Sequence, residues 1–81
     1  MTVRVLLFAQ MRVDAGRSSV DLELPEGAKL GDALESLFSQ IPVLRAHAPS
    51  CRTAVGVEYV SDDHALRDGD EISLIPPVQG G

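Results

Sequence analysis

Leu30-Gly31-Asp32-Ala33-Leu34-Glu35-Ser36-Leu37-Phe38-Ser39-Gln40-Ile41 is the stretch on which the fold turns. Leu30, Ala33, Leu34, Leu37, Phe38 and Ile41 recur at steps of three and four, the single apolar stripe of an amphipathic helix. Asp32, Glu35, Ser36, Ser39 and Gln40 fill the opposite face. Such a helix needs one apolar surface to lie on, and the flanking segments must supply it. Its start is weakly marked, because Gly27 or Ala28 must serve where Ser, Thr or Asp would cap better. Pro42 lies just past the stripe and Pro49 further on, so residues 42–50 read as an irregular crossing.

Upstream, Thr2 to Gln10 reads as a strand, with Val3, Val5, Leu7 and Ala9 on one face. Arg4, Leu6, Phe8 and Gln10 share the other. Leu6 and Phe8 make that second face apolar too, which predicts a central strand or one whose far face meets a partner. Met11 to Ser18, with Gly16, is read as a connection. Val20, Leu22 and Leu24 then alternate with Ser19, Asp21 and Glu23, a half-buried strand stopped by Pro25-Glu26-Gly27. Downstream, a strand is expected at 52–57, continuing through Tyr59-Val60. Asp62-Asp63 and Asp68-Gly69-Asp70 signal turns. Glu71 to Ile75 is the last strand. The order is β-β-α-β-β, and the simplest burial of one helical stripe is a hairpin, a helix across it and a final strand beside the first. That is an α+β fold, the β-grasp arrangement, with a four- to five-stranded mixed sheet and one main helix. Residues 1–75 are expected to form the domain and 76–81 an extended tail.

Composition narrows the function. At 81 residues the chain makes one small domain, burying only about 60–65% of the surface it exposes unfolded. Its formal charge of −5 lacks the basic footprint that phosphate backbones require, so no nucleic acid is expected. The longest apolar run, Val5 to Ala9, is too short for a membrane span or a signal-peptide core. The single cysteine, Cys51, rules out an internal disulfide and a thiolate zinc cluster, which suits a reducing cytoplasm. Catalytic signatures are missing as well. Gly27-Ala28-Lys29-Leu30-Gly31 lacks the spacing of a phosphate loop. His47 and His64 have no carboxylate at metal-ligand spacing, and no metal is expected. The acidic group Asp62, Asp63, Asp68, Asp70 and Glu71 lacks the loop of a calcium hand and reads as solvated turns. These features favour a binding module or carrier over a self-contained enzyme.

The end of the chain stands out: Ile75-Pro76-Pro77-Val78-Gln79-Gly80-Gly81. Pro76 and Pro77 remove two backbone donors and hold the chain extended, so the sheet must stop at Ile75. An extended run from Pro76 to Gln79 would carry Gly80-Gly81 roughly 12 Å clear of the body. Gly80 and Gly81 have no side chains to clash in a narrow channel. A carboxylate on such an arm can enter another protein's active site. The chemistry open to it is acyl activation, in which the carboxylate attacks the α-phosphate of ATP and the mixed anhydride accepts a nucleophile.

These residues resemble the small subunits of molybdopterin synthase, ubiquitin-like sulfur carriers. The resemblance covers nearly the whole chain. It is strongest in Val5-Leu6-Leu7-Phe8-Ala9-Gln10-Met11-Arg12 with Gly16, in residues 64–72 (His64-Ala65-Leu66-Arg67-Asp68-Gly69-Asp70-Glu71-Ile72), and in Pro76-Pro77-Val78-Gln79-Gly80-Gly81. It implies that an activating enzyme related to ubiquitin-activating enzymes adenylates Gly81 with ATP. A sulfur donor protein then converts the acyl-adenylate to a thiocarboxylate. The tail, Pro76 to Gly80, enters the large synthase subunit, and Gly81 delivers sulfur to the dithiolene of molybdopterin. Each carrier brings one sulfur, so a heterotetramer with two carriers is implied. No cofactor is held permanently, and ATP is consumed by the partner. Leu6 and Phe8 are the candidate partner contacts. Two departures concern partner-facing details rather than the tail: Gly56 stands where members often carry Asn, and Val13-Asp14 replaces a commoner Glu-Leu-like pair. A sulfur carrier for thiamin, tRNA thiolation or tungsten cofactor remains open, as does a protein modifier joined to lysines through Gly81. The thiamin carriers are usually shorter and lack the Phe-Ala-Gln and Pro-Pro-Val blocks.

Overall fold

A computed structural model describes residues 1–77. In chain order the elements are β1 (Thr2–Leu7), α1 (Ala9–Ala15), β2 (Ser19–Glu23), α2 (Leu30–Gln40), a 3₁₀ segment (Pro42–Ser50), β3 (Arg52–Val55), β4 (Glu58–Tyr59) and β5 (Glu71–Ile75). The five strands form one mixed sheet in the order β2-β1-β5-β3-β4. β1 and β2 form an antiparallel hairpin, and β5 returns parallel to β1 at the centre. This is the β-grasp topology that the alternation of strands and helix predicts.

The expected helical stripe forms the core. Leu30, Ala33 and Leu37 have no exposed surface, and Phe38 is buried beside them. They pack on Val3, Val5, Leu7, Val20, Leu22, Ile72 and Leu74 from the inner sheet face. Burying each large aliphatic side chain contributes about 1.5–3 kcal/mol, which is why this one stripe can hold a short chain together. Neither Gly27 nor Ala28 caps α2. The N-cap is Lys29, whose side chain offers no acceptor to the helix. Asp32, at the third helical position, instead accepts the Lys29 N–H at 2.9 Å, and only this half of a capping box forms. Leu30 N–H donates to the His64 carbonyl and Leu66 N–H to the Ala28 carbonyl. These bonds pin residues 61–70 to the start of α2 and bury Leu66.

Three expectations are corrected. The first strand does not run to Gln10: it ends at Leu7, and residues 9–15 are a helix rather than a connection. β2 begins opposite Leu6 and β5 pairs no further than Leu7, so Phe8 has no strand partner. Ala9 adopts φ +51, which turns the chain out of the sheet. α1 buries Met11 and stops at Gly16, whose N–H donates to the Arg12 and Val13 carbonyls at φ +73. The segment 42–50 is not irregular but 3₁₀, with Leu44 buried. Finally, the strand expected from 52 through 60 is two strands. The chain reverses at Gly56-Val57, pairing Val55 with Glu58 and Ala54 with Tyr59. Gly56 alone takes a positive φ there, +61, the pattern of a type II′ hairpin turn. Glycine, having no Cβ, takes that conformation without strain.

Candidate functional site: the open sheet face and the base of the tail

Strand pairing assigns every residue a face. Opposite the helices, one row runs across all five strands: Ser19, Leu6, Ser73, Ala54 and Tyr59. Toward the chain's C-terminus the next row carries Ile75 and Arg52. On the other side lie Asp21, Arg4 and Glu71, where Arg4 Nε donates to Asp21 Oδ1 at 3.0 Å. The result is a patch of Leu6, Ala54, Tyr59 and Ile75 bordered by charge. Leu6 and Ile75 are half-buried by their neighbours alone. Ala54 is buried yet stands apart from the core cluster under the helices, with Tyr59 as its cross-strand neighbour. The Arg52 guanidinium sits 3.8 Å from the Tyr59 ring centroid, which fixes the ring over this face.

Phe8 stands just beyond the end of β1 and is 40% exposed, while Tyr59 is 55% exposed. Of the three aromatic residues only Phe38 serves the core. The sequence-predicted contacts Leu6 and Phe8 therefore lie outside the core, beside the end of β5. Pro76 is half-buried and Pro77 exposed where the chain leaves the sheet. Val78, Gln79, Gly80 and Gly81, the remaining tail residues singled out in the sequence, lie outside the described residues. Sequence reading missed Ala54, Tyr59 and Arg52 as members of this face. Their strands are four and two residues long, too short for alternation to show which way each side chain points.

Other chemistry-bearing side chains lie apart from the patch. Cys51 is half-buried, its thiol 3.7 Å from Met11 Sδ, and burial pushes its pKa up. A thiol kept protonated is a poor nucleophile. His47 Nε2 lies 2.8 Å from Asp14 Oδ2, and Gln10 Nε2 donates to Asp14 Oδ1 at 2.8 Å. The His64 ring has no hydrogen-bond partner among the described residues. Among those residues no group of three His, Cys, Asp or Glu side chains is arranged to hold a metal, and no helix is long and apolar enough to cross a membrane.

A central β5 parallel to β1 between two hairpins, with the helix packed on one sheet face and the other face open, defines a ubiquitin-like β-grasp protein. The chain belongs to the ThiS family, whose profile matches residues 5–81. It is 40% identical to the molybdopterin synthase sulfur carrier subunit of Chlamydomonas reinhardtii, across the whole of both chains. The resemblance read from the sequence is thus borne out. Among solved structures it is similar to SAMP1, the small archaeal modifier protein 1 of Haloferax volcanii, with a TM-score of 0.93, 28% identity and full coverage of both chains. It is also similar, at a TM-score of 0.74, 26% identity and full coverage of both chains, to a chain in the complex of subunits 1 and 2 of molybdopterin-converting factor from Helicobacter pylori.

Proposed function

We propose that this chain is the sulfur carrier of a molybdopterin synthase, acting in the cytoplasm with Gly81 as its acyl group. The observation that carries the reading is the end-to-end alignment with a relative named for that role. The sulfur steps follow from carboxylate chemistry. The Gly81 carboxylate attacks the α-phosphate of ATP in the activating enzyme, and pyrophosphate leaves. The outer sulfur of a persulfide on a donor protein attacks the acyl carbon and AMP departs; a second thiol then attacks the donor-side sulfur of this acyl disulfide, leaving the thiocarboxylate and a disulfide on the donor. In the large subunit the thiocarboxylate sulfur attacks a carbon of the cyclic pyranopterin precursor, a C–O bond at that carbon breaks and its oxygen leaves, and hydrolysis of the resulting thioester keeps the sulfur on the pterin and returns the Gly81 carboxylate. Two such deliveries build a dithiolene, which favours a heterotetramer with two carriers. This chain contributes no acid, base or cofactor to those steps. Its part is to dock, through Leu6, Phe8 and their neighbours, and to project the tail from Pro76 to Gly81. The complex in which the Helicobacter pylori relative was solved supports a large-subunit partner.

The test is reconstitution with the activating enzyme, ATP and a sulfur donor, read by intact mass. The full chain is expected to gain the mass of one oxygen-to-sulfur exchange and to support molybdopterin formation by the large subunit. Deleting Gly81 is expected to abolish both while leaving the melting temperature unchanged, since the last buried core residue among those described is Leu74. Full activity of the deleted chain would overturn the reading. The likeness to an archaeal modifier favours one second reading, conjugation of Gly81 to lysines of other proteins, which mass spectrometry of cell lysates would detect.

A further inference from the structure

Phe8 is held in place from behind. It is extended, at φ −127 and ψ 159, and Ala9 then turns to φ +51, a region that a Cβ disfavours. Such a corner persists only where the structure beyond it holds it. Beyond it is α1, which packs chiefly on the 3₁₀ segment Pro42–Ser50. Two side-chain contacts join α1 to residues 47–51. Met11 and Asp14, three residues apart and so on one face of α1, meet Cys51 and His47 respectively. The first contact is sulfur to sulfur, 3.7 Å from the Cys51 thiol to the buried Met11. The second is polar. Asp14 Oδ1 accepts from Gln10 Nε2, which aims the carboxylate, and Oδ2 lies 2.8 Å from His47 Nε2. An ionised carboxylate only accepts, so Nε2 carries the proton in this contact. The segment bearing His47 is itself fixed: Leu44 is buried in the core, and Arg45 lies over the Phe38 ring and 3.5 Å from Glu35. A continuous path thus runs from α2 through His47 and Asp14 to the corner behind Phe8.

We infer that His47 is a positioning residue for docking on the large subunit: through Asp14 it fixes α1, and so the direction in which the Phe8 ring meets the partner. The inference rests on the proposed carrier function and adds to it a residue away from the open sheet face. Met11 and Leu44, which anchor α1 and the 3₁₀ segment, belong to the core on the inner side of the sheet. Leu6, Ala54, Tyr59 and Ile75 lie on the other side. Removing the His47 ring therefore leaves the composition of the docking face intact. What changes is the freedom of α1, which must then be ordered each time the partner binds. Binding weakens although no contact at the open face is lost.

The full-length chain, His47→Ala, His47→Gln, Phe8→Ala and the double variant Phe8→Ala with His47→Ala are each titrated calorimetrically with the large synthase subunit of the same organism, beside thermal melts. His47→Ala should weaken binding about three- to tenfold. His47→Gln, whose amide can donate to Asp14 Oδ2, should return affinity to within about twofold of the parent chain. In the Phe8→Ala background His47→Ala should cost nothing further, because the ring it positions is gone. A lower Tm with parent affinity makes His47 merely structural and overturns the inference. Losses that multiply in the double variant also overturn it, since His47 would then act independently of Phe8. So does a His47→Gln chain that binds no better than His47→Ala, or a Phe8→Ala chain with parent affinity. Each of these leaves the carrier reading standing. A parent chain that does not bind the large subunit at all overturns the carrier reading and, with it, this one.

Discussion

Phe8 and Gly16 bracket α1 and illustrate two different reasons for a residue to matter. Phe8 lends its backbone carbonyl to the amides of Met11 and Arg12, but its ring stays outside the buried core. Phe8→Ala should therefore move stability by no more than about 1 kcal/mol. It should weaken binding to the large subunit about tenfold or more if the ring fills a pocket there. Thermal melting paired with calorimetric titration checks this, and a large drop in Tm with unchanged affinity would return Phe8 to the core. Gly16 is the converse. A Cβ there would meet nothing within 4 Å, so space is not the constraint. Its φ of +73 is, and Gly16→Ala should cost about 1 kcal/mol, read as a lower urea midpoint with an unchanged slope.

Between α1 and the 3₁₀ segment, the element scale shows one polar clamp. Gln10 donates to Asp14, and His47 lies against the same carboxylate. The Gln10 hydrogen bond first, and His47 second, hold the Asp14 pKa below the ordinary carboxylate value. A depressed folded-state value means the clamp stabilises above the unfolded carboxylate pKa of about 3.9, and that stabilisation is lost as pH falls through the lower folded value. Asp14→Asn should lower Tm near pH 7, and the gap from the parent chain should close below about pH 4. Melts taken from pH 7 to 2 check the sign. A gap that widens toward acid would show that the carboxylate is not the stabilising form. Asp14 thus has a partner in His47, while its neighbour Val13 is 67% exposed.

At the scale of the whole molecule, the sheet ends where the two prolines begin. β5 lies between β1 and β3, so its backbone is paired on both sides up to Ile75, and Pro76-Pro77 then carries the chain away from the sheet. Replacing both prolines by Gly should leave Tm nearly unchanged, Pro76 being half-buried and Pro77 exposed. It should weaken productive docking on the activating enzyme by about 1 kcal/mol, because a looser arm loses more entropy on entering a channel. Steady-state adenylation beside a thermal melt separates the two effects. A collapse in Tm with normal adenylation per folded molecule would make the prolines structural.

By itself the sequence determined the helix over 30–40, the hairpin it lies on, and the final strand with its stop at Ile75. Each is a local pattern, the helical stripe, the two-residue alternation or the loss of two amide donors, and local patterns survive without knowledge of neighbours. It also carried the family, through blocks that run the length of the chain. Only the tertiary structure decided where β1 stops, since Phe8 and Ala9 continue the alternation and fail as strand only because no partner strand extends that far. Met11 and Ala15 are one helical turn apart, too few apolar positions to announce a helix of seven residues. The open apolar face is likewise a product of pairing. Leu6, Ala54, Tyr59 and Ile75 come from four strands, and nothing along the chain says that β5 will be inserted between β1 and β3 to bring them onto one surface.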